Sequence, residues 1–262
     1  MTPDPKLTDP LRPEPRSREM ETQLVKPPSV ESHSPETLSP EVGSPGHLVF
    51  DSALLVLALE AAHVAVLAHK DEIAGLDQAI GDGDHVFNLL RGLDAVLATQ
   101  PVLVAQGLGP ALKLVAKTLL ESVGGSAGPL LASLVLGMAK LAREPVTPLV
   151  FAEMFGQGVQ AMQQRGRAEV GEKTMLDVLV PTAECLRGLA GSDLPLEQRL
   201  ERVRLAAERG MLSTRDIVAT KGRAAFLGER SRGVIDPGAR SCQLMIAAVC
   251  DVLQASAEVV QA

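Results

Sequence analysis

From residue 48 onward, leucine, valine, alanine and methionine recur at three- and four-residue spacing. That is the repeat of helices with one buried face. Asp51 is placed to cap a helix running to about Lys70. A short helix over 71–79 follows, then another from about Asp84 with Leu89, Leu90, Leu93 and Leu97 at helical spacing. Leu108–Glu121 is next. The run Gly124-Gly125-Ser126-Ala127-Gly128-Pro129 interrupts the pattern and starts a helix through about Arg143. Thr147-Pro148 supplies a capping hydroxyl and a proline at the first helical position for 148–165. Lys173–Leu189 follows, and Ser192 or Asp193 with Pro195 opens a long helix to about Thr220. Gly238 to about Val260 is the last. No alternating strand or hairpin pattern is present. The expected fold is all-α, a bundle or barrel of about eight antiparallel amphipathic helices.

Residues 1–46 are a different kind of polymer. Ten of the 18 prolines lie there, among Ser, Glu and Arg. Such a segment buries too little apolar surface to offset ordering entropy, so a disordered tail is expected before a folded domain at 47–262. In the whole chain hydrophobic residues make up 46% and aromatics only 2%, with no Trp or Tyr. The core must then be Leu, Val and Ala, which favours helices over sheets. The net charge of −7 argues against a general nucleic-acid binder. It leaves room for a nucleotide site, where metal ions and backbone dipoles reverse the local sign. Cys185, Cys242 and Cys250 match no metal or redox spacing and read as small core residues in a reducing cytosol. No apolar leader is evident, and the most apolar segment, 48–69, carries Asp51, Glu60 and His63. It reads as a buried helix, so a cytoplasmic protein without a membrane span is expected.

The candidate chemistry lies in the breaks between helices. Asp77, Asp82 and Asp84 fall within eight positions, with Gly81 and Gly83 between and beside them. Glycine permits tight turns that aim several carboxylates at one place. Converging carboxylates need a cation, and an oxygen-only set selects a hard ion such as Mg²⁺, which completes its shell with water and phosphate oxygens. An acidic surface turn has the same composition. Gly124–Gly128 precedes a helix, where exposed amides and the dipole attract an anion. Gly171-Glu172-Lys173-Thr174-Met175 resembles the end of a phosphate-binding loop, but the Lys is one place out of register and no strand precedes it. Residues 220–239 read as a long loop carrying Lys221, Arg223, Arg230 and Arg232, suited to neutralising phosphates.

Taken together, these loops resemble the L subunit, or nucleotide-binding domain, of dihydroxyacetone kinases. The resemblance runs in order from Leu76-Asp77 through Ile80-Gly81-Asp82-Gly83-Asp84-His85 and Asn88, and on through Gly124 to Pro129. It continues with Gly171 to Asp177, Lys221-Gly222-Arg223-Ala224, Leu227-Gly228-Glu229-Arg230-Ser231 and Asp236-Pro237-Gly238-Ala239, covering about 48–260. It implies a barrel of eight helices with the nucleotide at one end. Asp77, Asp82 and Asp84 would hold two Mg²⁺ ions that bridge the phosphates of ADP or ATP. His85, Val86, Phe87, Asn88, Ser126 and Ala127 would line the phosphates. Gly166 and Met175 would flank the nucleoside, with Thr174 a hydroxyl donor beside them. Lys221 or Arg223, and Asp236-Pro237-Gly238, would close the site. Val86-Phe87 stands where a small Gly-Thr-type pair is usual, and Phe87 is expected to narrow the phosphate pocket. Glu172 replaces a more usual Asp, and Ala127 a frequent Ser.

The resemblance further implies a phosphotransferase with an alcohol acceptor. In its multisubunit form ADP stays bound, a partner's phosphohistidine phosphorylates it, and dihydroxyacetone on a separate K subunit receives the phosphoryl group. No side chain of this chain would itself become phosphorylated. After the tail about 215 residues remain, too few for a K domain, so K is expected on another chain. A homodimer is compatible with this arrangement. Alternative readings are an ATP-dependent ketose kinase subunit, a fatty-acid kinase relative, or a non-catalytic nucleotide-binding regulator.

Overall fold

The structure is a computed structural model and describes residues 50–261; the expected tail and its boundary at 46/47 lie outside them. Ten α-helices and one 3₁₀ segment, and no strand, are found among the described residues. They are α1 (Ser52–Ala68), α2 (Lys70–Ile80), α3 (His85–Leu97), α4 (Gln100–Val104) and α5 (Leu108–Ser122). Then come α6 (Ala127–Leu141), α7 (Pro148–Gly166), α8 (Leu176–Leu189), α9 (Leu196–Ser213), the 3₁₀ segment Arg223–Ser231 and α10 (Pro237–Gln261).

Eight of these helices close a ring. Each of α5 to α10 packs against the next, α10 packs on α1, α1 on α3, and α3 on α5. The short α2 and α4 lie outside the ring as connectors, which reconciles ten helices with the expected eight. The ring closes around Val66, Val86, Leu108, Met154 and Met162, all almost wholly buried; Ile73 of α2 and Leu103 of α4 join the same core, as does Phe50, whose ring lies 5.1 Å from that of Phe151. Small residues let the walls approach. A Cβ on Gly137 of α6 would stand 2.8 Å from the Gly158 Cα of α7, so bulk at either position forces the two helices apart.

Local chemistry sets the helix ends. Asp51 caps α1 by accepting from the Leu54 N–H (2.9 Å), and Thr147 caps α7 by accepting from the Val150 N–H (3.3 Å). Three sequence expectations are corrected. The helix expected from Lys173 starts at Leu176, because Gly171 (φ +92°) and Lys173 (φ +62°) hold left-handed backbone that no helix tolerates. The helix expected to reach Thr220 ends at Ser213, where the Thr214 hydroxyl bonds back to the Met211 carbonyl. Pro195 itself is the residue before that helix, and neither Ser192 nor Asp193 caps it.

One helix, α10, is long and apolar enough by length and composition to cross a membrane (Pro237–Val259). It packs along α1 and α9 and also touches α2, α3 and α8. Cys242 and Cys250 are buried in these contacts; burial pushes their thiols up to about 12 and about 11, so both are inert small hydrophobes.

Candidate functional site

The up-and-down path gathers helix ends at one mouth of the ring. There α3, α6, α8 and α10 begin, α2 and α7 end, and a cavity of about 530 Å³ opens between them. Four helix N-termini thus bring the positive ends of their dipoles to one volume, although side chains already cap amides of α3, α8 and α10.

The acidic trio sits on its rim. Asp77 lies in the last turn of α2 and is buried; Asp82 and Asp84 follow in the turn to α3 and are exposed. One carboxylate oxygen from each lies within 4.8 Å of the others. Two glycines make this convergence possible. Gly83 has φ +78°, and a Cβ on Gly81 would come within 2.2 Å of Asp77 Oδ1. The other Asp77 oxygen, Oδ2, accepts from the His85 N–H at 3.0 Å, which orients the carboxylate. A hard-oxygen set with one ordered and two solvent-facing members fits a divalent cation that keeps other ligands. The turn's demand for positive charge is visible directly, since Arg223 forms an ion pair with Asp82.

The first turn of α3 sorts its side chains by the 100° step between residues. His85 and Asn88, three apart, both face the cavity. The His85 ring Nε2 lies 2.9 Å from Ser241 Oγ, and burial holds its pKa below the usual value, outweighing the pull of Asp77 and Asp84. Val86 and Phe87, expected among the phosphate-lining residues, are not in the wall. Val86 is wholly buried in the ring's core. Phe87 is 49% exposed with the Lys70 ammonium 4.8 Å above its ring. Phe87 therefore does not narrow the pocket.

Arg230 and Arg232, expected to neutralise phosphates, do not border the cavity either, and Arg232 instead pairs with Glu229 and donates to the Asp216 carbonyl; the other expected residues do border it. Ser126 and Ala127 begin α6; the Ser126 hydroxyl makes no cap bond, leaving the amides of this terminus open. Gly166 ends α7 opposite Thr174 and Met175, which begin α8. Lys221 and Arg223 stand on the 3₁₀ side, and Asp236, Pro237 and Gly238 start α10. The Thr174 hydroxyl is already engaged, accepting from the Leu176 N–H at 3.1 Å. Asp236 accepts from the Ala239 N–H (2.7 Å), yet burial, with Asp177 and Asp77 nearby, pushes its carboxyl up to about 7.

Sequence reasoning missed the two residues that fix the Gly171–Met175 loop. Lys173, only 1% exposed, turns its ammonium to the carbonyls of Thr214, Ile217 and Val234, so it braces three segments rather than a phosphate. Its burial lowers its pKa. Asp177, also buried, accepts from the Gly171 N–H (2.6 Å) and the Thr174 N–H (2.7 Å). An Asp in the first turn of α8, three residues past Thr174, was the readable signal. The apolar wall of Leu130, Met162 and Ala168 carried no signal, since core residues look the same.

The profile of the DAK2 domain matches residues 79–251. The protein called PEP-dependent dihydroxyacetone kinase, ADP-binding subunit DhaL, of Escherichia coli strain K12 is 41% identical over 179 residues, spanning 68% of this chain and 85% of that one. The PTS-dependent dihydroxyacetone kinase ADP-binding subunit of Lactococcus lactis is 38% identical over 185 residues, spanning 71% and 89%. In structure, the dihydroxyacetone kinase of C. freundii (native form) matches with TM-score 0.61 at 21% identity, over 87% of this chain and 39% of that longer one. That likeness speaks for the all-α ring fold. From the profile match and the identity to nearly whole subunits, the chain belongs to the DAK2 domain family.

Proposed function

We propose that this chain is the ADP-binding subunit of a dihydroxyacetone kinase that works with separate protein partners. The observation that carries the proposal is the convergence of three carboxylates on a cavity into which four helix N-termini open. Relatives of similar length named as ADP-binding subunits support it. Asp77, Asp82 and Asp84 would hold Mg²⁺, two ions in this reading. Bound there, magnesium and ADP supply charge neutralisation and the accepting oxygen for a phosphoryl group in transit from a partner's phosphohistidine to dihydroxyacetone on a K subunit.

The chain's own groups position and shield. The open amides at Ser126–Ala127 would meet the phosphates, with the dipole of α3 adding to the attraction. Met175, Leu130 and Met162 supply the apolar wall against which a base can lie and from which water is excluded. Arg223, once released from Asp82 by metal, is free to pair with phosphate oxygens at the mouth. His85, held neutral by burial, offers a hydrogen bond without adding charge. The test is Asp82→Asn. Calorimetry should show loss of magnesium-dependent ADP binding, and unchanged affinity would refute the metal assignment.

A further inference from the structure

Asn88 borders the cavity from the first turn of α3, and its side chain can present either of two opposite groups there. The amide oxygen accepts hydrogen bonds, the NH₂ donates them, and the two ends have nearly the same shape. Packing alone therefore leaves the orientation open. Chemistry beside the site decides it. Arg91, three residues further along α3, donates from Nη2 to Asn88 Oδ1 at 2.8 Å. A guanidinium has donors only, so the reversed amide would set NH₂ against NH₂. The oxygen is thus held on the Arg91 side. Nδ2, on the other branch of the same planar group, makes no hydrogen bond among the described residues and is left for the cavity.

Arg91 is itself fixed at a second point. Its Nε donates at 2.9 Å to the carbonyl of Ser122, the last residue of α5. The guanidinium therefore spans from α3 to the end of α5, and it does so over Gly124. A Cβ on Gly124 would lie 2.6 Å from Asn88 Oδ1 and 2.7 Å from Arg91 Nη2, so the pair rests on bare backbone at the start of the Gly124–Gly128 turn. Arg91 does not border the cavity. Among the described residues no carboxylate pairs with it, and its fork serves two carbonyl oxygens instead.

We propose that Arg91 is a positioning residue for nucleotide binding: it holds the Asn88 amide with its NH₂ toward the cavity, where that group donates to a phosphate oxygen of ADP. This rests on the ADP-binding reading above. An amide free to turn would offer its oxygen part of the time, and an oxygen lone pair facing a phosphate repels it. Arg91 acts through Asn88 and needs no contact of its own with the nucleotide.

The test is a double-mutant cycle on the full chain, with Asn88→Ala, Arg91→Met and the two together, reading ADP affinity by calorimetry in the presence of Mg²⁺. Asn88→Ala should weaken ADP on the order of tenfold, the size of one hydrogen bond to a charged oxygen. Arg91→Met should cost nearly as much alone and almost nothing on top of Asn88→Ala. A loss from Arg91→Met that persists in the Asn88→Ala background overturns the proposal, because Arg91 would then act on the nucleotide or on the Gly124 turn directly. Wild-type affinity in either single variant overturns it as well. Asn88→Asp separates orientation from support, and keeps the test open should Arg91→Met unfold. It retains an acceptor for Arg91 and removes the donor, so melting should hold while ADP affinity falls by a similar factor. Wild-type affinity in Asn88→Asp would make the pair a structural brace only. Wild-type chain that binds ADP without these couplings removes the role of Arg91 alone; wild-type chain that binds no ADP removes the reading beneath it.

Discussion

Gly81→Ala tests whether the aspartate turn depends on a missing methyl group. The added Cβ would stand 2.2 Å from Asp77 Oδ1, whereas real Cβ atoms essentially never come closer than 3.0 Å to a neighbour. The same Cβ would lie 3.0 Å from the Asp77 carbonyl, so the backbone leaves it no retreat and the carboxylate must move by close to an ångström. Rotation away breaks the 3.0 Å bond that Asp77 Oδ2 accepts from the His85 N–H. That bond contributes about 1 kcal/mol, so melting should fall by roughly 2–4 °C. The effect on metal is larger. Magnesium tolerates little departure from its short octahedral bonds, so a displaced Asp77 should weaken magnesium-dependent ADP binding by roughly 10–100-fold. Gly75→Ala is the matched control, since a Cβ there meets nothing within 4 Å on the same helix. It should leave binding alone and add about 0.5–1 kcal/mol of stability. The assay is calorimetric titration of ADP with and without Mg²⁺, beside thermal melts. Wild-type magnesium dependence in Gly81→Ala would refute the idea that backbone contact positions Asp77.

Two other perturbations follow from the same geometry. The Asp236 carboxyl sits at about 7 in the folded chain, above its ordinary 3.8, so the folded state holds a proton that the unfolded state releases between those values. Stability from this group is therefore full below about pH 4 and falls as pH rises to about 7. Asp236→Asn, which still accepts from the Ala239 N–H, should gain about 2 kcal/mol over wild type between pH 5 and pH 8; a constant difference between the two melting curves would contradict the raised value. Glu172 joins the two loops beside the nucleoside end. Its Oε1 accepts from Thr220 Oγ1 (3.1 Å) and faces Lys221 Nζ at 3.7 Å, and its Oε2 accepts from the Glu169 N–H (2.8 Å). A partly exposed pair of this kind is worth about 0.6 kcal/mol, so Glu172→Gln should speed release of a fluorescent ADP analogue roughly threefold. An unchanged release rate would show that the two loops close independently.

The ring was legible because its helices carry a plain 3.6-residue repeat and their caps are local. Asp51 and Thr147 each bond an amide three residues on, which a linear sequence can display. The site was legible where function depends on residue type at short spacing, as with the three aspartates and the Gly124–Gly128 turn. What failed was direction. Val86 and Phe87 lie in the right motif, yet one helical step each turns them into the core and out to Lys70. The bracing role of Lys173 was hidden for a different reason. Its partners are carbonyls 41, 44 and 61 residues away, and no local pattern encodes such contacts. The resemblance to a phosphate-binding lysine came from neighbours in sequence, while its role came from neighbours in space.

The same distinction explains how a chain of charge −7 could hold a polyanion. Net charge is spread over a surface that solvent screens within about 8 Å at physiological salt. The cavity instead sees what is aimed at it. The N-termini of α3, α6, α8 and α10 each present the equivalent of roughly half a positive charge, with Lys221 and Arg223 on the rim. Against these stand the C-terminal ends of α2 and α7, the acidic trio and Asp236, and the last two are discounted locally. Asp236 is only about half ionised near pH 7, and Asp82 is paired with Arg223. One Mg²⁺ entering the trio would cancel most of its negative charge and a second would turn it positive, releasing Arg223 toward the phosphates. A cation and an anion are therefore expected to bind as a pair, each making the mouth hospitable to the other. Neither the trio without metal nor metal without the helix termini would suffice, which is why the turn at Gly81–Gly83 has to lie beside the starts of α3 and α6.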